Sequence, residues 1–513
     1  MFAFFLCTYL VEFLVILFMI FVENKRPYRV LMWTIAFLVL PFLSLILFLL
    51  FGCGVLNRRK KLYRISKINK INELNLKSNF NYIQNKYKNQ TKLKKLLTFN
   101  VNLHQTTSLF NEKIEIYRDG KLAFKNIFEE IKNARHSIFM STYIFADDVI
   151  GKELLDLLVK KTKENVKVVL IYDSVGSKKT KDKFFDILRN NGGVVKRFFP
   201  PKLNINLYVN YRNHRKIIVI DEKISFVGGL NVRDDHLGNN KKLYPWLDTH
   251  LKIVGNTSGE LLKVFLSDFK LTLTKKEEKK LNFIFDENYF NCMGKTIKNC
   301  KKTLSNVKNL KNCGKQINNF KYANFAITKK QDRNLVQVIN SSSLFMSNKI
   351  EESFIFLINS AQKEIVIESP YLVLDDKFFC AIKCAVIRGV KVKVIISKKP
   401  DKLFVYNASL FYAQKLQEIG VQIFLFDGFV HSKTMFIDKE ILVCGSSNFD
   451  MRSFTLNFET SVIVYDKILS SKFNKFLSET LHKSEELDFD FYKKLPVSKK
   501  LAIKFSKLFS PIL

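Results

Sequence analysis

Two segments of the chain repeat one pattern of side chains that can do chemistry. The first reads His214-Arg215-Lys216-Ile217-Ile218-Val219-Ile220-Asp221 and is followed by Gly228-Gly229-Leu230-Asn231. The second reads His431-Ser432-Lys433-Thr434-Met435-Phe436-Ile437-Asp438 and is followed by Gly445-Ser446-Ser447-Asn448. Every interval agrees between the copies, and two of the chain's seven histidines occupy the same frame. Core histidines beside ordinary hairpins have no reason to repeat all of these intervals, so the pattern reads as functional. Two imidazoles, two ammonium groups and two carboxamides suit a phosphodiester. Lys216, Asn231, Lys433 and Asn448 would neutralise and hydrogen-bond the phosphoryl oxygens. One histidine can attack phosphorus while the other protonates the leaving alkoxide. His214, Lys216, Asp221, His431, Lys433 and Asp438 are therefore the candidate catalytic set. The lysines already supply positive charge and no compact carboxylate cluster accompanies them, so neither a metal nor a cofactor is expected.

The spacing also says what must position these groups. Lys216 to Asp221 and Ile224 to Val227 read as two strands joined by a short turn, and the second copy repeats the hairpin. On a strand, residues i and i+2 share a face, so His214 would emerge with Lys216 and His431 with Lys433. Asp221 and Asp438 fall at the turn, where bonding to nearby backbone is the expected job. The small residues before Asn231 and Asn448 allow close approach of backbone and ligand. Asp248 and Glu459 each follow a motif by a comparable distance and are expected to orient the histidines, as in a His–acid pair.

Around the motifs, helical and strand-like periodicity alternate, which indicates an α/β fold. Leu122 to Phe128 and Lys152 to Lys163 read as helices, and Ser137 to Tyr143 and Val166 to Tyr172 as strands. The order recurs with helices at Ile350 to Ala361 and Phe378 to Arg388 and strands at Glu364 to Glu368 and Val390 to Ile396. The chain is thus an internal duplication. Its two halves, residues 101–274 and 336–513, would each bring one motif to a shared active site, with a Lys/Asn-rich insertion or linker at 275–335.

Ahead of the first half, residues 1–53 hold two apolar runs, about 2–22 and 30–51, broken by Glu12 and by the polar turn at 23–27. Each is roughly the 20 residues that an α-helix needs to cross a bilayer. A two-helix transmembrane hairpin is expected, followed by a basic juxtamembrane connector at 54–100. The run Asn57-Arg58-Arg59-Lys60-Lys61 places the catalytic part in the cytoplasm by the positive-inside rule. The chain carries 84 Lys+Arg against 47 Asp+Glu, a net charge of +37 that attracts polyanions. With two spans in the chain, anionic lipid is the expected polyanion and nucleic acid is not. The eight cysteines form no CxxC pair and read as scattered thiols.

These residues resemble the phospholipase D superfamily, and within it the bacterial cardiolipin synthases. The resemblance rests on the double motif, the two-span amino terminus, Tyr172-Asp173-Ser174-Val175-Gly176-Ser177, Glu368-Ser369-Pro370-Tyr371, the Asn448-to-Glu459 segment and the closing Phe509-Ser510-Pro511-Ile512-Leu513. It implies two duplicated halves, each a mixed β-sheet flanked by helices. It also implies that two phosphatidylglycerols become cardiolipin and glycerol, with His214 as nucleophile and His431 as acid. The symmetry of the sequence does not itself decide which histidine attacks. Leu247, Leu374 and His236 depart from the arginine, proline and tyrosine common in the family, which leaves headgroup choice open. A hydrolase of the same superfamily, passing the phosphatidyl group or a nucleic-acid phosphate to water, and a non-enzymatic lipid organiser are the alternatives. The sequence is silent on oligomeric state.

Overall fold

The structure is a computed structural model that describes residues 2–22, 27–48, 91–106, 108–200, 210–274, 277, 334–343 and 348–510. Most of the expected connector at 54–100 and of the insertion at 275–335 lies outside the described residues, as do the turn 23–26 and residues 511–513.

The amino-terminal elements are α1 (Phe2–Val22), α2 (Pro27–Val39) and α3 (Pro41–Leu47). The second apolar run, expected as one helix, is two. Pro41 has no N–H and crowds the residue before it, so Leu40 leaves the helical region with φ −137° and ψ 68°. Met19, Phe37 and Phe48 are buried together with Trp33 against them, while Leu10, Phe13, Leu14, Leu31, Met32 and Leu38 face outward. Among the described residues no helix is long and apolar enough to cross a membrane, side chains of α1 being described only over residues 7–20.

Beyond α4 (Thr91–His104), the first half runs β1 (Ser108–Tyr117), α5 (Gly120–Asn133), β2 (Ser137–Thr142), α6 (Val149–Lys163), β3 (Lys167–Asp173), β4 (Val194–Phe198), β5 (Ile217–Ile220), β6 (Ile224–Gly228), β7 (His250–Gly255) and α7 (Thr257–Thr272). The second runs β8 (Leu335–Ser341), α8 (Lys349–Ser360), β9 (Glu364–Glu368), α9 (Asp376–Ile387), β10 (Lys391–Ser397), α10 (Leu403–Gln417), β11 (Gln422–Phe426), β12 (Thr434–Ile437), β13 (Ile441–Gly445), β14 (Glu459–Tyr465), α11 (Lys467–His482) and β15 (Ser484–Glu486), and the chain continues into α12 (Val497–Lys507). Side chains cap the starts of α5, α6, α9 and α11. Asp119, Asp148, Asp375 and Asp466 each accept a hydrogen bond from a backbone N–H of the first turn.

These fifteen strands form one sheet, in the order β15-β11-β10-β9-β12-β13-β14-β8-β1-β7-β6-β5-β2-β3-β4, and two short two-stranded sheets lie apart from it. Reading outward from the β1–β8 pair, the same order appears on both sides, with β15 an added edge strand in the second half. The duplication is therefore structural as well as sequential. β1 and β8 pair antiparallel, with Leu109 opposite Val336 and Phe110 opposite Leu335. In each half the motif hairpin, β5–β6 or β12–β13, joins antiparallel to a parallel group, β2-β3-β4 or β9-β10-β11.

One face of the sheet carries a core common to both halves, in which Ile116, Phe265 and Phe269 pack with Val336, Phe436 and Phe473. The other face carries one core per half, around Phe124, Leu154 and Leu170 and around Phe354, Ile382 and Val394. Each fully buried Phe, Leu or Ile contributes about 1.5–3 kcal/mol. The common core thus holds the halves in a fixed relation, which the site requires.

Candidate active site

Both motif segments leave the sheet just before their hairpins. The strands begin at Ile217 and Thr434, so the histidine and lysine precede the strand and do not lie on it as expected. The cause is pairing with the opposite half. Asn213 bridges Phe458, and Val430 pairs with Leu247, both parallel. The alternation of side chains survives in these extended segments. Lys216 Nζ donates to the carbonyl of His214 at 2.6 Å, and Lys433 Nζ donates to that of His431. The residues between point the other way, into buried networks. Arg215 binds Asp268, Thr460 and the Ser341 carbonyl. Ser432 donates to Glu368, whose carboxylate also accepts from the two terminal guanidinium nitrogens of Arg118, in the other half, at 2.6 and 2.7 Å.

The backbone pairing decides which carboxylate serves which histidine. The N–H of His214 donates to the carbonyl of Phe458 at 3.0 Å, and the next residue, Glu459, accepts from His214 Nδ1 at 2.9 Å. The N–H of His431 donates to the carbonyl of Leu247 at 2.6 Å, and the next residue, Asp248, accepts from His431 Nδ1 at 2.6 Å. Each histidine is therefore held by the acid of the opposite half. Asp248, which follows the first motif in sequence, serves the second. Leu247 contributes its carbonyl to this arrangement.

This geometry assigns the tautomers. His214 Nδ1 faces only acceptors, Glu459 and the Ser446 carbonyl at 3.0 Å, and His431 Nδ1 faces Asp248. Each neutral ring therefore carries its proton on Nδ1 and its lone pair on Nε2. Burial, with the nearby lysine charges, lowers His214 to about 4 against the pull of Glu459. His431 is lowered by burial and by Lys433. Burial opposes ionisation of Asp248 and Glu459. Asp248 is nevertheless held below the usual carboxylate range by His431, His236 and Lys433, and Glu459 by His214, Lys216 and Ser446. The resting site thus pairs two neutral imidazoles with two carboxylates.

Burial also lowers Lys216 to about 7 and Lys433 to about 8. The sign follows directly: these ammonium groups lose protons as pH rises through those values, and an anionic substrate loses its countercharge. We expect kcat/KM to fall across about pH 7 to 9, and kcat to persist to higher pH, because a bound phosphodiester stabilises both ammonium groups. A kcat/KM profile flat over that window rules out this role for the lysines.

The other residues singled out by sequence are placed as follows. Asp221 accepts from the backbone N–H groups of Arg135, His136 and Ser137, and Asp438 from those of Gln362, Lys363 and Glu364. Both lie at the far end of their strands from the histidines, at turns with φ 49° and 54°. They anchor the loops entering β2 and β9 and do not join the reacting groups. Asn231 is buried, accepts from the Ile144 N–H at 3.2 Å, and has its amide nitrogen 3.4 Å from His236 Nε2. Asn448 donates to Asp450 at 3.0 Å, while its Oδ1 is buried without a hydrogen-bond partner among the described residues. Both amide nitrogens thus face protein groups, and the Asn448 oxygen is the one carboxamide atom left over.

Gly229 has a specific task. A Cβ there would stand 1.9 Å from Asp248 Oδ1, so the missing side chain makes room for the carboxylate that holds His431. Gly229→Ala is expected to displace Asp248 and to lower kcat about 10–100-fold, as a misplacement of the order of 1 Å does. Wild-type turnover with intact folding removes that assignment.

Sequence reasoning missed Tyr143, whose ring meets His214 edge-on at 4.8 Å with Lys216 Nζ 5.4 Å from its centroid. It also missed Arg118 and Ser446, the latter donating to Glu459 at 2.5 Å. None of the three repeats between the halves, so the duplication gave no signal for them. His236, noted only as a departure, packs edge-on against His431 at 4.7 Å, beside Trp246. His236, Asp248 and His431 bring three ligand atoms within 4.8 Å of one another. His431 already occupies Asp248, and the charge of Lys433 there opposes an added cation. Cys7, Cys380, Cys384 and Cys444, the described cysteines, are free.

A family model described as "Cardiolipin synthase, PLD-like domain" matches residues 127–256 and 354–481, one stretch in each half. A cardiolipin synthase of Staphylococcus aureus is 33% identical over 503 residues, covering 96% of this chain and 93% of that protein. One from Listeria monocytogenes is 34% identical over 405 residues, covering 79% of this chain and 76% of that protein. Among solved structures, phosphatidylserine synthase of Haemophilus influenzae shares the fold, with a TM-score of 0.59 at 17% identity over 82% of this chain and all of that one.

Proposed function

The chain belongs to the cardiolipin synthases with phospholipase D-like domains, and from that premise we propose that it transfers a phosphatidyl group from one phosphatidylglycerol to another. The carrying observation is the crossed His–acid pairing, which supports two Nε2 atoms serving one site beside Lys216 and Lys433.

In the first step His214 Nε2 attacks phosphorus, and the bond from phosphorus to the glycerol oxygen breaks. The departing alkoxide takes the proton from His431, which the arriving anion and Asp248 favour in its charged form. Glycerol leaves, and a phosphatidyl group remains on His214. In the second step the hydroxyl of another phosphatidylglycerol gives its proton to His431 and attacks phosphorus, breaking the bond to His214. Atoms and protons then balance as two phosphatidylglycerols giving cardiolipin and glycerol. Lys216 and Lys433 hold the phosphoryl oxygens throughout, and Asn231 and Asn448 complete the binding of the phosphate once it enters. Asp221 and Asp438 keep the hairpins in place.

The amino-terminal helices hold the enzyme in the cell membrane with the catalytic part on the cytoplasmic side. Their outward apolar side chains and the basic residues after position 56 support this reading. Membranes containing the chain, given labelled phosphatidylglycerol and no added metal, should yield cardiolipin and free glycerol in equal amounts. Phosphatidic acid as the main product would instead make water the acceptor.

A further inference from the structure

Helix α12 packs against α10 with Ile503 and Ser506 buried. Its opposite side carries Val497, Leu501, Phe505 and, just past its end, Leu508, all 56% to 71% exposed. These positions fall on one helical stripe, which a helix in contact with water would fill with polar residues. The stripe does not stand alone. Phe509 meets both Phe505 and Phe404 with ring centroids 5.4 Å apart, and Leu403, at the start of α10, is 62% exposed. The rim is basic: α12 contains Lys499, Lys500, Lys504 and Lys507 and no acid, and Lys402 precedes α10.

The patch begins beside the active site. Lys402 Nζ is 5.5 Å from the ring of Tyr371, and Tyr371 donates to Asp401 at 2.7 Å. Tyr371 itself follows Glu368 by three residues, and Glu368 stands opposite Thr434, the residue after Lys433.

We propose that α12 and the start of α10 form a second membrane contact, an apolar stripe with a lysine rim that settles into an anionic lipid surface beside the site. This inference rests on the phosphatidyl-transfer reading above. An apolar face flanked by lysines is what an interfacial helix on an anionic leaflet needs. A second copy of the chain fits less well, because a two-fold contact through this stripe sets one lysine rim against the other. The docked patch brings the site down to lipid diesters.

The test uses the full chain in vesicles of equal phosphatidylglycerol and phosphatidylcholine, with p-benzoylphenylalanine in place of Phe505. On irradiation we expect lipid adducts at position 505, several-fold fewer in vesicles of phosphatidylcholine alone. Adducts to a second copy, to other residues of the same chain, or to nothing overturn the docking. In parallel, Leu501→Glu with Phe505→Glu should lower turnover of vesicle phosphatidylglycerol on the order of tenfold. The same variant should cleave a water-soluble short-chain diester with a p-nitrophenyl leaving group at the wild-type rate. Equal loss on both substrates, or none on either, counts against docking. Failure of the unaltered protein to cleave the soluble diester counts against the transfer chemistry, and the crosslinks then decide the docking separately.

Discussion

Replacing His214 by alanine is expected to abolish cardiolipin formation, with a loss of at least about 10^4-fold, because it removes the nitrogen that would become bonded to phosphorus. His431→Ala should be comparably severe with phosphatidylglycerol, whose glycerol leaves poorly without a proton. The two variants separate on a diester with a p-nitrophenyl leaving group, which departs without acid assistance. There His431→Ala should still release nitrophenol in a burst and leave a phosphatidyl group on His214. His214→Ala should give neither. A burst retained in His214→Ala and lost in His431→Ala would exchange the two roles. The near-symmetric motifs make that outcome a genuine alternative. The asymmetry lies in the surroundings: His214 has Tyr143 and the Ser446 carbonyl beside it, whereas His431 has His236 and Trp246.

Asp248→Asn should lower turnover by about 10^2–10^4-fold, the range seen when a carboxylate that fixes a catalytic imidazole becomes an amide. The reason is tautomeric. An amide N–H aimed at His431 Nδ1 makes that nitrogen an acceptor and puts the proton of the neutral ring on Nε2. Glu459→Gln should do the same to His214. With the p-nitrophenyl diester, Asp248→Asn should keep the burst, since His431 is not needed for that step, and Glu459→Gln should suppress it. Pairing in sequence order, each acid with the histidine before it, demands the reverse. Measuring the burst in both variants therefore tests the crossed arrangement directly.

Much of this site was legible in the sequence. Side-chain type and spacing are local properties. His214 with Lys216 and His431 with Lys433 share a side because an extended chain alternates its side chains, and the helices and strands around them follow from period and capping residues. The turn positions of Asp221 and Asp438 told of their bonding to backbone, since a carboxylate at a tight turn finds N–H groups close by. Asp248 and Glu459 were recognisable as partners of the histidines. Family membership was legible for the same reason, being carried by the repeated residues themselves.

What only the tertiary structure decided is which groups meet. Asp248 lies closer in sequence to His214, yet it bonds to His431, because Leu247 pairs with Val430 across the two halves. No periodicity within a segment encodes a partner from another segment. That choice is made where β1 joins β8 and the common core sets one half against the other. Arg118 and Tyr143 were invisible for the same reason, whereas the break at Leu40 is local: Pro41 marks it in the sequence, and apolarity alone passes over the missing N–H. The sequence by itself determined the chemistry available to this protein. The tertiary structure decided how it is shared, placing each histidine of one half under the carboxylate of the other.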